Sequence, residues 1–394
     1  MTRLWDRGEA LDDLVLRYTA GDDHLLDERL LAHDVRASIA HARMLHAQGH
    51  LSAEDLQALT PALESIAASH ARGEWEISLE DEDCHTAIET RLTALVGEAG
   101  KRIHLGRSQR PGARGDPPLA EGCARVARGR CGGGRRRARC DRAGAGATPM
   151  PGYTHMQRAM PSTVALWAQA FASEIRDDAA GIRLRRGAQT GTPWAPQLDT
   201  ACRCSRSIAS TRRGASASRR PTSRSPRSSF PRQGRGVGAF EATLLAQDLG
   251  RLAADVCLFA TAEVGFVVLA PELTTGSSML PQKRNPDPFE LVRGRTGEAA
   301  AALMECLAIA AKMPSGYHRD LQLLKKPLFR GMDGVAASSR VMARAVAGIT
   351  FVEERLRAAM EPGLFAAERA YRLAVEEGVP FRDAYRRVRG DAGR

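Results

Sequence analysis

The sequence predicts an all-α protein built on long bundled helices. In residues 240–265, Leu245, Leu249, Leu252, Val256 and Phe259 alternate spacings of four and three, the seam of a long bundled helix. Residues 289–312 are rich in alanine, a strong helix former. No stretch alternates apolar and polar residues convincingly at a period of two, so strands are not expected. With 394 residues, 43% of them hydrophobic, the chain can bury one or more large cores, and two to three domains are expected.

Taken in order, residues 1–100 read as helical. Ser52 is placed to cap a helix whose first turn carries Glu54 and Asp55. Leu56, Leu59, Leu63 and Ile66 then form one apolar stripe. A second helix is expected from about Asp83, with His85 and Glu89 four apart on one face. Residues 265–289 are rich in Thr, Gly, Ser, Pro and Asn and read as a loop. Residues 336–360 again look helical.

The net charge of +11 is not spread evenly. Residues 109–147 carry a local charge of +7 and residues 183–236 carry +12, which leaves −8 on the rest. The basic character therefore belongs to two Arg-rich blocks and is no sign of a nucleic-acid surface. Five of the eight cysteines (Cys123, Cys131, Cys140, Cys202, Cys204) also fall in the blocks, leaving Cys84, Cys257 and Cys306 elsewhere, as a reducing compartment allows. No C-x-x-C pair suggests a metal site. No apolar run of about 18 residues suggests a membrane span. The opening MTRLWDRGEALDD lacks an apolar leader segment, so a cytoplasmic protein is expected. The blocks resemble disordered Arg/Ser tails by composition, yet each lies between segments that read as packed helices.

Four stretches hold chemistry. Residues 274–287, TTGSSMLPQKRNPD, gather hydroxyls, Lys283 and Asn285 in a Gly/Pro-bounded loop before a helix. Such a loop can close over an anionic substrate, or simply cap the next helix. Residues 151–161, PGYTHMQRAMP, set His155 beside Thr154, Tyr153 and Arg158; imidazole suits proton transfer near neutral pH, although a lone histidine is more often structural. In residues 315–326, SGYHRDLQLLKK, Tyr317, Gln322 and Lys325 face inward only over about two helical turns, and the alternative is a solvated charged face. In residues 82–89, EDCHTAIE, His85 and Glu89 either serve a site or, with Arg91, lace a surface helix.

Together and in this order, the four stretches resemble the argininosuccinate lyase branch of the fumarase/aspartase superfamily, over residues 1–108, 148–182 and 237–394. GSSMLPQKRNP is the superfamily signature, and EDEDCHTAIE, PGYTHMQRA and YHRDLQ-x-x-K point to the branch. The resemblance implies a three-domain all-α homotetramer whose long helices form a shared core, with each active site assembled from three chains. It implies reversible elimination of fumarate from argininosuccinate, with no metal or organic cofactor and no nucleic-acid or membrane partner. It assigns Ser277 as base, Lys283 and Asn285 to the substrate carboxylate, and His155 to the acid/base network. Thr154, Tyr317, Gln322, Lys325 and His85 match substrate-binding positions, and Gly106, Arg107 and Ser108 begin another binding motif. The expected domains are 1–106, 107–360 (the central bundle) and a short 361–394. Another fumarate-releasing lyase of the superfamily is the alternative.

The last motif breaks off. The family continues Gly-Arg-Ser with Arg-Asn-Asp-Gln, whereas here Gln109, Arg110, Pro111 and Gly112 follow. The codons CGC-AAC-GAC-CAG-G, read two bases late, become CAA-CGA-CCA-GG, which encodes Gln-Arg-Pro-Gly. Residues 109–147 and 183–236 are therefore expected to be translated out of frame from a GC-rich gene. That one cause accounts for the arginines, the cysteine cluster and the lost apolar period. Translated as written, the blocks cost the bundle its apolar seams and leave an inactive relic; as real basic arms they instead belong to an interaction protein.

Overall fold

The computed structural model describes residues 12–105, 147–188, 232–311, 313–314 and 318–391. The frame-shift reading concerns residues that, apart from the block ends at 147, 183–188 and 232–236, lie outside these. Both ends of the second block are helical. The described helices are α1 Asp13–Ala20, α2 Asp23–Asp27, α3 Leu31–Ala47, α4 Ala53–Ala71, α5 Cys84–Val96, α6 Glu98–Arg102, α7 Val164–Ala188 and α8 Arg232–Phe259, followed by α9 Asp287–Gly294, α10 Thr296–Ala311, α11 Lys325–Ala345, α12 Glu353–Ala358, α13 Ala366–Glu377 and α14 Phe381–Asp391. The expected all-α class holds. Two small antiparallel ladders, β1 Pro149–Thr154 with β2 Gln157–Thr163 and β3 Val267–Leu269 with β4 Ile349–Phe351, are additions that the sequence did not announce.

The described residues group into two compact units. One draws on 1–116, 183–240 and 301–332, the other on 117–182, 241–300 and 333–394. In the first, α3, α4 and α5 pack around Leu31, Leu45, Leu59, Leu63, Ile88 and Leu92, all fully buried. The Ser52 hydroxyl accepts from the Asp55 amide at 3.0 Å, so the expected cap starts α4. Asp83 does the same for α5, accepting from the Thr86 amide at 2.8 Å. Burying one such leucine contributes roughly 2 kcal/mol.

In the second unit, the α8 seam of Leu245, Leu249, Leu252, Val256 and Phe259 is buried as its spacing predicts. Phe171, Ile175 and Ala179 on α7 are buried too, and the Trp167 indole N–H donates to Asp255 on α8 at 2.9 Å. The helix expected over 336–360 instead starts at Lys325 and stops at Ala345. Gly348 explains the stop: a Cβ there would lie 2.3 Å from the Leu273 side chain, so the backbone turns tightly past Leu273 and enters β4. Gly378, at φ 64°, ends α13 in the left-handed conformation, and α14 folds back to stack Phe381 on Tyr371 at 4.7 Å.

Candidate active site

The loop between β3 and α9 is pinned at its feet and exposed at its tip. Thr275 and Asn285 exchange backbone hydrogen bonds of 3.1 and 2.9 Å, closing the nine residues between them into one excursion. The Thr275 hydroxyl donates to Asp287, the first residue of α9, which the fully buried Phe289 anchors in the core. Between these feet, Ser277 is half-buried and Lys283 exposed. The Ser277 Oγ accepts the backbone N–H groups of Met279 at 3.3 Å and Leu280 at 3.1 Å. Two backbone donors thus converge on one hydroxyl oxygen at the tip of the loop.

His155 sits at the tip of the β1–β2 hairpin. Thr154 pairs with Gln157, which leaves His155 and Met156 as a two-residue turn with φ of 52° and 60°. Such turns favour Asn-Gly; two ordinary side chains held there store strain of roughly 1–2 kcal/mol each. Arg158, at the start of β2, pairs with Glu361 and donates to the Ala359 carbonyl at 3.5 Å, so the stem is fixed while Thr154 and His155 remain exposed.

The first unit holds the other described site residues. The Gln322 amide donates to the carbonyls of Thr19 and Ala20 at 2.9 and 3.1 Å. It lies on a single 3-10 turn, Arg319–Gln322, rather than on the two helical turns expected. Lys325 is buried, its Nζ 2.5 Å from Asp27 and 3.1 Å from Asp23. Asp27 also accepts the Cys84 amide at 3.2 Å, which links this ion pair to the start of α5. His85 follows directly, with Asp34 3.6 Å from its Nδ1 and Glu89 3.7 Å from its Nε2. Glu89 in turn pairs with His104 at 2.9 Å. Ser108 and Tyr317, with Gly106 and Arg107, lie outside the described residues.

Ser277, Lys283, Asn285, Thr154 and His155 thus belong to one unit, and His85, Gln322 and Lys325 to the other. Sequence reading missed Asp23, Asp27 and Asp34, the carboxylates that hold Lys325 and face His85. The spacing of Asp23 and Asp27, four apart ahead of an apolar run, was the available signal. The amides of Met279 and Leu280 left none, because backbone donors do not depend on residue type.

Comparison with known proteins bears on the whole chain. A family model described as "Lyase" matches residues 237–300. An argininosuccinate lyase of Sorangium cellulosum is 42% identical, over 98% of this chain and 90% of its own length. Those of Stenotrophomonas maltophilia strain R551-3 (36%, over 97% and 89%) and Thermotoga neapolitana (33%, over 100% and 98%) are also similar. Among solved structures, a fumarate lyase:delta crystallin from Brucella melitensis superposes with a TM-score of 0.72 at 15% identity, over 98% of this chain and 93% of its own. The class II fumarase of Schistosoma mansoni gives 0.71 at 13%, over 95% and 91%. At those identities the superpositions speak for the fold, while the sequence relatives speak for descent. The chain belongs to the argininosuccinate lyase family of the fumarase/aspartase superfamily.

Proposed function

We propose that the chain, with its reading frame restored, catalyses the reversible β-elimination of argininosuccinate to arginine and fumarate, with Ser277 as the base. The observation that carries this reading is the Ser277 oxygen held by two backbone amides on a loop closed at its feet. In the reaction Ser277 takes the proton from the carbon next to the succinyl carboxylate. The negative charge passes into that carboxylate, which Lys283 and Asn285 stabilise. The carbon–nitrogen bond then breaks, its electron pair leaves with the guanidino nitrogen, and the network that includes His155 returns a proton there. Thr154, Ser108, His85, Tyr317, Gln322 and Lys325 bind substrate. The reaction belongs to arginine biosynthesis and needs no cofactor.

The same reading makes the enzyme a cytoplasmic homotetramer with domains 1–106, 107–360 and 361–394 and with active sites shared between chains. Met304 and Leu307, one turn apart on α10 and 64% and 49% exposed, are side chains that such an interface would cover. Resequencing the gene across codons 105–150 and 180–240 tests the frame: a missing or extra base at the block edges supports it, and an unchanged sequence removes it. Fumarate release, followed by ultraviolet absorbance, then tests the substrate. Release from argininosuccinate supports the proposal, and release from adenylosuccinate alone sinks it.

A further inference from the structure

We infer that His85, Glu89 and His104 form a binding site for a divalent transition-metal ion of the zinc class. The three lie in one unit, on α5 and just after α6, and offer two imidazole nitrogens and a carboxylate oxygen. No two of these donor atoms are more than 4.8 Å apart. The Glu89 oxygen stands 2.9 Å from His104 Nδ1 and 3.7 Å from His85 Nε2. Tetrahedral zinc with bonds of about 2.0–2.1 Å sets its ligands roughly 3.3 Å apart, so these two separations bracket the required one. His104, half-exposed, has the freedom to close the remainder.

Two further observations point to a ligand. His85 is 1% exposed, yet neither ring nitrogen makes a hydrogen bond. A buried imidazole without a hydrogen bond is a costly arrangement that a bound cation at Nε2 resolves. Asp34, fully buried, faces His85 Nδ1 from the opposite side at 3.6 Å. A carboxylate behind the far nitrogen of a metal-binding histidine is the usual outer-shell arrangement, fixing the tautomer and strengthening the donor. The ligand set is two imidazole nitrogens and one carboxylate oxygen. Such a set suits zinc, cobalt or nickel rather than calcium or magnesium. With three protein donors, water fills the remaining position. The site shares His85 with the substrate-binding set of the lyase reading, while its test needs neither Ser277 nor substrate.

The test is titration of the purified full-length chain with Co²⁺, watching for visible ligand-field bands and then displacing the ion with Zn²⁺. The chain is expected to show intense bands of a tetrahedral or five-coordinate site, saturating at one equivalent and lost on adding zinc. His104→Gln alters an accessible side chain and is expected to weaken Co²⁺ binding about tenfold or more with unchanged circular dichroism. Glu89→Gln, of the same shape, is expected to do likewise. Absence of the bands in the unmodified chain overturns the inference, as does binding that persists undiminished in His104→Gln.

Discussion

Replacing Lys325 with methionine removes a cation that lies between two buried carboxylates. The side chains of Lys325, Asp23 and Asp27 are only 5%, 4% and 4% exposed, so water screens none of them well. Deleting one partner of a buried pair leaves a charge uncompensated and costs about 3–5 kcal/mol. Asp27 keeps the Cys84 amide at 3.2 Å, which places the loss at the lower end, about 3 kcal/mol. Against a domain stability of roughly 5–15 kcal/mol that is a large fraction. Urea unfolding followed by circular dichroism reads it as a lower midpoint. Adding Asp27→Asn to Lys325→Met removes a buried charge and should return more than half of the loss. A change below about 1 kcal/mol for Lys325→Met, or no recovery in the double variant, would refute the reasoning that this ion pair holds the start of α11 to α2.

Three further outcomes follow. Met156→Gly should raise stability by about 0.5–1 kcal/mol, because glycine accepts the positive φ that methionine resists; an unchanged melting temperature would show that the hairpin tip carries no strain. Asp178 is pushed up to about 7 by burial and by the facing carboxylates of Asp248, Glu241 and Glu174, while Arg251 pairs with Glu174 and Asp248. Its folded state therefore holds a proton that the unfolded chain gives up near pH 4, so its contribution is present at low pH and is lost as pH rises through about 7. Asp178→Asn should accordingly raise the melting temperature at pH 8 and leave it nearly unchanged at pH 4, and equal shifts at both would contradict the assignment. Ser52→Ala should lose about 1 kcal/mol in urea unfolding, and a neutral result would mean the cap adds nothing to α4.

The parts of the fold legible in the sequence are those governed by local rules. Ser52 and Asp83 announce helix starts because a short oxygen-bearing side chain satisfies an amide that the helix itself leaves free. The α8 seam shows because helical period fixes which side chains turn inward. The β1–β2 hairpin was hidden: its strands carry Pro149, Pro151 and Pro161, and its turn uses His155 and Met156 in place of the glycine or asparagine that marks such turns. The stop at Ala345 depends on Leu273, distant in sequence, meeting Gly348, and no local window contains that contact. At the site, side chains with distinctive chemistry were visible as motifs. The buried aspartates around Lys325 were not, because a carboxylate reads as a surface residue until tertiary packing pairs it.

The central claim is that a serine held by two backbone amides is the base of a fumarate-releasing elimination. The most direct measurement compares fumarate release from argininosuccinate by the frame-restored protein and by its Ser277→Ala variant, with substrate binding measured in parallel. The account predicts a fall of at least about a thousandfold in kcat, with binding nearly unchanged, because the variant loses the proton acceptor while the loop feet at Thr275 and Asn285 stay joined. A variant that still turns over at more than about a tenth of the parent rate would contradict it.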